Sequence, residues 1–484
     1  MKLSQLIENI KEIEIIRLKD TEITGITEDS RDIKPGYLFF AIKGFQTDGH
    51  KFINDAIKKG SVVIIGTDRK SLTKIRSHKN ISIIRAKNIR KITGFISHKF
   101  FNEPSKKLKL IGITGTNGKT TTSFIIYNVL KKLNIKAGLI GSIYYITPSG
   151  KEKADRTTPP PVKLNQLLKK IVKEDGEYGI MEVSSHSILL HRIEGLEFYG
   201  GVFTNLSPEH LDFHNNMYNY FLAKYQLTNY INNNGIFAVN TDDPFGKILY
   251  GLKNVQCFRT ESFGKNGNLK ILDVKTANRF SAIQLLTTHG KMKIETNLKG
   301  MFNAYNIAAA VSILLNMELP PQLIETAFKN IQVPGRFEEI APKIFIDYAH
   351  TPDALKKILK TLRELYPKDK LTLVFGCGGD RDRNKRPLMG KIASVYADRI
   401  IVTDDNPRFE NPERIISEIL IGCDPSKTIT IRDRKTAIVT ALKEKRNGVV
   451  IIAGKGPDEY QEIEGIKYPF SDKESVLGVI NDNP

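Results

Sequence analysis

The eight residues Gly115-Thr116-Asn117-Gly118-Lys119-Thr120-Thr121-Thr122 lie between an apolar run, Leu108 to Thr114, and an amphipathic stretch that begins at Ser123. That order predicts a strand, a glycine-bracketed loop and a helix, which commits this part of the chain to an α/β layer. Glycines let the backbone turn tightly and aim N–H groups at an anion, Lys119 adds a point charge, and the Thr120 hydroxyl can hold Mg²⁺ at the helix N-terminus. The chain is therefore expected to bind ATP or a relative. The common spacing would place glycine at 113, where this chain has Ile113, and Gly112 and Gly115 flank it instead, so a variant phosphate loop is implied. An incidental glycine-rich turn is the alternative, and the strand before and helix after speak against it.

A length of 484 residues suits about three domains, and a hydrophobic content of 40% is that of an ordinary soluble protein. No apolar stretch approaches the roughly 20 residues that span a bilayer, and polar residues come too early after Met1 for a signal peptide. A cytoplasmic location is expected. Cys257, Cys377 and Cys423 are far apart and odd in number, so neither a disulfide framework nor a cysteine metal site is predicted, only reduced, packed thiols. The formal net charge is +20, from 73 Lys and Arg against 53 Asp and Glu. Lysines are spread through pieces such as Leu355-Lys356-Lys357-Ile358-Leu359-Lys360, which read as solvated helix faces rather than a nucleic-acid patch.

Residues 1–104 read as a small α/β unit, with strand-like Gly36 to Ile42 and Ser61 to Ile65 around a helical His50 to Ile57. Asn102-Glu103-Pro104-Ser105 breaks the pattern as a linker. Residues 105–333 alternate apolar strands with helices, as a parallel sheet covered on both faces would. Residues 334–484 form a third unit with strands Lys343 to Tyr348, Leu371 to Phe375, Arg399 to Thr403 and Gly448 to Ala453. In open α/β sheets ligands sit beyond strand carboxyl ends. Three of these strands run straight into the polar clusters Gly376 to Arg381, Asp404 to Arg408 and Gly454 to Gly456.

Two further clusters follow strands of the central unit: Glu182-Val183-Ser184-Ser185-His186, and Asn205-Leu206-Ser207-Pro208-Glu209-His210-Leu211-Asp212-Phe213-His214. A carboxylate and an imidazole at strand ends can complete a Mg²⁺ shell around nucleotide phosphates. His210 and His214, four apart, also suit zinc, but no convincing third ligand accompanies them; capping or core packing is the other alternative. Downstream, Lys224 interrupts the apolar helix face Tyr218 to Leu227. A lysine there ordinarily snorkels to solvent. Pointed into a metal site, it would be pressed toward the neutral amine, which can take up CO₂ to give an anionic carbamate.

Over the whole chain the order of these motifs resembles the Mur ligases, cytoplasmic ATP-dependent amide-forming enzymes of peptidoglycan synthesis. The matching stretches are Asp29-Ser30-Arg31 with Pro35-Gly36 and Asp48-Gly49-His50, the phosphate loop, Thr157-Thr158-Pro159, Glu182 to His186, and Ala223-Lys224. Gly300-Met301-Phe302-Asn303 with Asn306, Pro334-Gly335-Arg336 and Asp347-Tyr348-Ala349-His350 continue the match. The resemblance implies a small N-terminal UDP-binding domain, a central phosphate-loop ATPase domain and a Rossmann-like C-terminal domain, closing together to exclude water. It implies Ser30 among the UDP contacts, and Thr157, Thr158, Ser184 and Arg192 on the muramoyl-dipeptide. Gly115, Thr116, Asn117, Gly118, Lys119, Thr120 and Thr121 would bind ATP, with Asn306, Arg336, Asp347 and His350 around the nucleotide. Thr120, Glu182, His210 and carbamoylated Lys224 (N6-carboxylysine) would serve Mg²⁺, and Lys119 would join the last three in catalysis.

Asp405-Asn406-Pro407-Arg408 matches the family motif for meso-diaminopimelate, whereas lysine-adding relatives lack that arginine. The physics agrees, because diaminopimelate carries a second carboxylate that Arg408 can grip in a bidentate pair. Arg381 and Gly454 match further contacts to this amino acid. The reaction so implied joins meso-diaminopimelate to the D-glutamate of UDP-N-acetylmuramoyl-L-alanyl-D-glutamate through an acyl phosphate, in a monomer with no nucleic-acid partner and no membrane insertion. Two departures stand out. Gly454-Lys455-Gly456-Pro457-Asp458 replaces the usual Gly-Lys-Gly-His-Glu, so Asp458 stands where a glutamate receives the substrate's amino group, and Leu190 stands where some relatives place an amide. Alternatives are the same ligase using L-lysine or another diamino acid, and a folylpolyglutamate synthetase-like ligase. From other classes come a nucleic-acid-stimulated ATPase and an ATP-gated scaffold.

Overall fold

The computed structural model describes residues 1–45, 47–75, 77–252, 259–277, 280–317 and 319–482; Cys257 lies outside them. By its internal contacts the chain divides into two compact units, Met1–Gly112 with Ile135–Gly200 and Gln226–Gly235, and Ile113–Asn134 with Gly201–Tyr225 and Ile236–Pro484.

In the first unit an N-terminal sheet runs in the order Ile13–Arg17, Ser82–Ala86, Val63–Gly66, Tyr37–Ala41, Gly25–Thr27, with only the first pair antiparallel. Its strands read as unbroken apolar runs because successive side chains point to opposite faces and both faces are covered. Leu38, Phe40, Val63 and Ile65 pack with Leu3, Leu6, Ile92 and Ile96 from the helices Leu3–Ile7 and Ile89–Phe100. The alternate residues Phe39, Ala41 and Ile64 pack with Ile53, Ala56 and Leu72 on the other side. Each such Leu, Ile or Phe stabilises the fold by roughly 1.5–3 kcal/mol relative to exposure. Asn88 starts the longer helix, its side chain accepting from the Lys91 N–H at 3.2 Å. A separate sheet orders Phe198–Phe203, Lys109–Thr114, Tyr178–Glu182, Ala137–Ile140, Tyr144–Thr147, Gly150–Lys153, and its last two pairs are antiparallel, against the parallel pattern expected.

In the second unit Ile236 to Asn240, the end of strand Ile231–Asn240, pair in parallel with Arg259–Gly264. Arg259–Gly264 pairs in parallel in turn with Leu269–Thr276, and the parallel pattern expected for the central region stops there. Leu269–Thr276, Ser281–Thr287 and Gly290–Thr296 form an antiparallel meander, and their burial alternates along the chain because one face is wet. Helix Met301–Leu315 is buried almost all round and packs on Lys119–Lys132. The C-terminal sheet orders Glu338–Ala341, Ile344–Asp347, Val449–Ala453, Leu371–Phe375, Arg399–Val402, Thr428–Thr430, antiparallel only in the first pair. Its parallel strands bring the carboxyl ends at Asp347, Phe375, Val402 and Ala453 to one edge. A two-stranded hairpin, Tyr460–Ile463 with Ile466–Pro469, follows the last of them. Cys377 is buried and Cys423 half-buried, and burial raises both thiols, to about 12 and about 11. Among the described residues no helix is long and apolar enough to cross a membrane.

Candidate functional site

The phosphate loop needs its glycines for two reasons. Gly115 and Gly118 hold φ of 140° and 89°, and a Cβ on them would meet Thr204 Oγ1 at 1.9 Å and Asn306 Oδ1 at 2.3 Å. The next strand end clamps the loop: the Thr116 N–H donates to Asn205 O at 2.8 Å, the Asn117 N–H to Asn205 Oδ1 at 3.0 Å, and Thr204 Oγ1 to Asn117 O at 2.7 Å. Lys119 Nζ donates to Gly115 O and Thr116 O at 2.9 and 2.8 Å, at the start of the helix Lys119–Lys132. Thr120 Oγ1 accepts from Arg336 Nη2 at 3.1 Å, and Thr121 is buried in the same first turn.

Asn306 stands against Gly118 and donates to Asn303 Oδ1 at 3.1 Å. Arg336 lies 4.3 Å over the Tyr348 ring. Asp347 accepts from the Phe337 N–H at 2.6 Å, and burial raises its carboxyl above the usual range against the pull of Arg336. His350 Nε2 lies 3.2 Å from Glu209 Oε1. Asn306 and Arg336 thus touch the loop, Asp347 lies within the field of Arg336, and His350 meets Glu209; Glu209, Asn205 and Tyr220 are neighbours that carried no assignment from the sequence.

Lys224, on the helix Met217–Tyr225, does not snorkel. It is 2% exposed, donates to Gly115 O at 2.8 Å and lies 4.5 Å over the Tyr220 ring. Burial first, and Lys119 next, press its pKa well below the usual lysine value. His210 adopts φ 55° ahead of the short helix Leu211–His214, with Nε2 3.7 Å from Glu209 Oε2; burial lowers its pKa while Glu209 opposes. His214 packs 4.8 Å from the Tyr220 ring and is pushed down to about 4 by burial. Among the described residues no three His, Cys, Asp or Glu side chains form a metal cage. A hard cation that keeps waters and phosphate oxygens fits such a sparse donor set; zinc, which needs a closed set of nitrogen and sulfur ligands, does not.

The first unit assembles its own cluster. Glu182 is fully buried and accepts from the Ser142 N–H and Oγ at 2.8 and 3.0 Å. Ser142 Oγ is 3.0 Å from Thr157 Oγ1, and Thr158 Oγ1 donates to Glu182 O at 2.8 Å. Ser184 donates its N–H to Thr158 Oγ1 at 3.2 Å and caps the short helix Ser185–Leu189 through the Ser187 N–H. Arg192 Nη1 donates to Thr158 O at 2.7 Å; burial, then Arg156, lowers its guanidinium to about 10. Ser30 sits in a different turn, its carbonyl accepting from Lys59 Nζ at 2.8 Å.

At the carboxyl edge of the C-terminal sheet the three polar clusters meet. Burial would raise the Asp405 carboxyl, but Lys455, Arg434 and Arg408 hold it below the usual range. Asn406 Oδ1 accepts from Lys455 Nζ and the Glu462 N–H, both at 2.9 Å. Gly454 has φ 113°, and a Cβ there would strike Asp405 Oδ2 at 2.6 Å. Arg408 donates through Nε to Glu462 Oε2 at 3.1 Å and through Nη1 to Gly379 O at 2.6 Å. Burial, then Arg408, weakens the hold of Arg381 on its proton, so the two guanidiniums face one region. The Asp458 carboxyl is raised by burial, with Lys455 opposing. Pro407 carries its carbonyl into the space a Gly379 side chain would need. Sequence reasoning assigns Lys455 no role, and it does not single out Glu462 or the fully buried Arg386, which ties Gly378 O to Glu410 and Glu418 and so joins two of the loops. The hairpin's four-residue strands are half-buried or exposed without alternation, so no pattern in them pointed to Glu462.

Three family profiles match the chain: the Mur ligase family catalytic domain over residues 22–94, the Mur ligase middle domain over 113–314 and the Mur ligase glutamate ligase domain over 335–456. A UDP-N-acetylmuramoyl-L-alanyl-D-glutamate--2,6-diaminopimelate ligase of Aquifex aeolicus is 42% identical over 464 residues, 95% of this chain and 94% of the relative. One of the same name from Clostridium botulinum is 38% identical over the full length of both. A solved structure bearing that name superposes with a TM-score of 0.68 at 28% identity, covering 100% of this chain and 99% of the other. With this likeness running through the phosphate loop and both strand-end clusters, the chain belongs to the Mur ligase family.

Proposed function

We propose that this chain is an ATP-dependent carbon–nitrogen ligase that joins meso-diaminopimelate to the D-glutamate γ-carboxylate of UDP-N-acetylmuramoyl-L-alanyl-D-glutamate, a step of peptidoglycan synthesis. The observation that carries the choice of amino acid is the Arg408 guanidinium, anchored by Glu462 and Gly379 O at one sheet edge and within electrostatic reach of Arg381 and Asp405. Domains of 1–104, 105–333 and 334–484 for the UDP end, the nucleotide and the amino acid suit this division of labour. A cytoplasmic monomer is the form in which it works, needing neither nucleic acid nor membrane insertion.

In this reading the γ-phosphoryl of ATP passes to the substrate carboxylate, giving an acyl phosphate and ADP. An amine of diaminopimelate then attacks the acyl carbon, and phosphate leaves as the amide forms. Lys119 and the N–H groups from Gly115 to Thr121 hold the phosphates and stabilise charge as it moves to the leaving oxygen. Asn306, Arg336, Asp347 and His350 surround the nucleotide. Thr158, Ser184 and Arg192, with Thr157, orient the muramoyl-dipeptide, and Ser30 serves its uridine end. Thr120, His210, Glu182 and Lys224 would hold Mg²⁺, which when bound supplies neutralising charge to the phosphates. The buried Lys224 amine, pressed toward its neutral form, takes up CO₂ and releases a proton to become the carbamate this role needs.

ADP release tests the reading: it should require UDP-N-acetylmuramoyl-L-alanyl-D-glutamate and rise with meso-diaminopimelate above other amino acids. ADP release driven by DNA or RNA instead would overturn it.

Asp458 gives a sharper expectation. One methylene shorter than the family's glutamate, it reaches less far toward the substrate's amino group. Asp458→Glu should keep or lower the KM for diaminopimelate, read in a steady-state titration, whereas a severe rise would show that another residue fills this place.

A further inference from the structure

The motif Tyr460-Gln461-Glu462-Ile463 opens the C-terminal hairpin, and the hairpin is stitched to the Asp405-Asn406-Pro407-Arg408 segment on both sides. The Glu462 N–H donates to Asn406 Oδ1 at 2.9 Å. The Arg408 N–H donates to Glu462 O at 3.0 Å, and the Glu464 N–H to Arg408 O at 2.8 Å. Glu462 is thereby fixed through its own backbone before its side chain makes any contact. Its Oε2 then takes the Arg408 Nε–H at 3.1 Å, with both side chains mostly buried.

Arg408 needs such a partner. It holds φ 53°, a left-handed conformation that an L-residue adopts only when its surroundings demand it, and its guanidinium shares a region with that of Arg381. Glu462 and Gly379 O take two of its five N–H groups, one on Nε and one on Nη1. Among the described residues the edge formed by Nη1 and Nη2 keeps three donors, and a carboxylate can accept from both nitrogens in parallel.

We infer that Glu462 is a positioning residue, clamping the Arg408 guanidinium so that its Nη1/Nη2 edge meets the second carboxylate of the incoming diamino acid. The inference rests on the proposed meso-diaminopimelate reaction and extends it to a residue 54 positions from the arginine.

Steady-state kinetics of the full-length enzyme and of Glu462→Ala and Glu462→Gln, with meso-diaminopimelate, L-lysine and ATP each varied, provide the test. Loss of a hydrogen bond to a charged group should raise the KM for meso-diaminopimelate about tenfold or more in Glu462→Ala. The preference for diaminopimelate over lysine should shrink by the same factor, with the KM for ATP unchanged. Glu462→Gln, whose amide oxygen can accept the same Nε–H, should recover most of the loss. An unchanged or lower KM in Glu462→Ala would overturn the inference, the lower value marking Glu462 as a competitor for Arg408. So would an equal rise in the KM for ATP, or a Gln variant no better than Ala. A parent enzyme inactive with diaminopimelate would defeat the underlying reaction, whereas an active parent with an indifferent Glu462→Ala defeats this inference alone.

Discussion

Lys224→Ala is expected to lower the ligation rate by at least about 10²–10³-fold, the cost of removing one preorganised charged group from a phosphoryl-transfer site, while leaving the protein folded. The side chain is 2% exposed, and its nitrogen shares the Gly115 carbonyl with Lys119, at 2.8 and 2.9 Å. Two cations around one oxygen repel by on the order of 3 kcal/mol at an effective dielectric of 20, and burial adds to that cost. Both effects push the group toward the neutral amine, the form that reacts with CO₂. As a carbamate the group turns from repelling Lys119 to attracting it and offers oxygen to a hard cation. Two readouts separate this from a packing role. Short carboxylic acids such as acetate should restore part of the activity of Lys224→Ala by supplying the missing carboxylate, and Lys224→Arg, charged and unable to form a carbamate, should stay inactive. A fully active Lys224→Ala would remove the carbamate from the mechanism.

Arg408→Ala is expected to cut kcat/KM for meso-diaminopimelate by about 10²–10³-fold, since truncating one partner of a hydrogen-bonded charge pair costs about 2–5 kcal/mol. ATP binding should be unaffected. The loss falls on the amino acid because Arg408 is anchored at the C-terminal sheet edge by Glu462 and Gly379 O, away from any hydrogen bond to the phosphate loop. Discrimination against L-lysine should collapse in the variant, because lysine has no carboxylate for the arginine to hold. Arg408→Lys should not rescue it, a point charge being unable to form the bidentate contact. Equal use of lysine and diaminopimelate by the parent enzyme would contradict the assignment; direct competition between the two amino acids measures it.

What the sequence disclosed follows the range of the forces involved. The phosphate loop was legible because everything that shapes it is local: two glycines at positive φ, a strand before and a helix after. Lys224 was legible as a question, an odd cation on an apolar helix face, but its burial depends on Gly115, 109 residues away. Asn406 and Arg408 stood out by motif. Lys455 stood in a motif of its own without a role and Glu462 in none, because their pairings with Asn406 and Arg408 span 49 and 54 residues, and no periodicity reports such pairings. Glu209 was hidden beside His210, whose left-handed backbone turns both side chains in a way no helix or strand pattern shows. The parallel sheet was over-extended for a related reason. Ile283 and Leu285, then Met292 and Ile294, alternate with polar residues around a turn at Gly290, and that hairpin signal is weaker than the apolar runs on either side.

One experiment bears on the central claim most directly: quenching a reaction of the purified protein with ATP, Mg²⁺, UDP-N-acetylmuramoyl-L-alanyl-D-glutamate and meso-diaminopimelate, then weighing the UDP-linked product by mass spectrometry while counting ADP. The predicted result is a product heavier by one diaminopimelate residue, formed one for one with ADP. ADP without that product, or no turnover with all reactants present, would contradict the account.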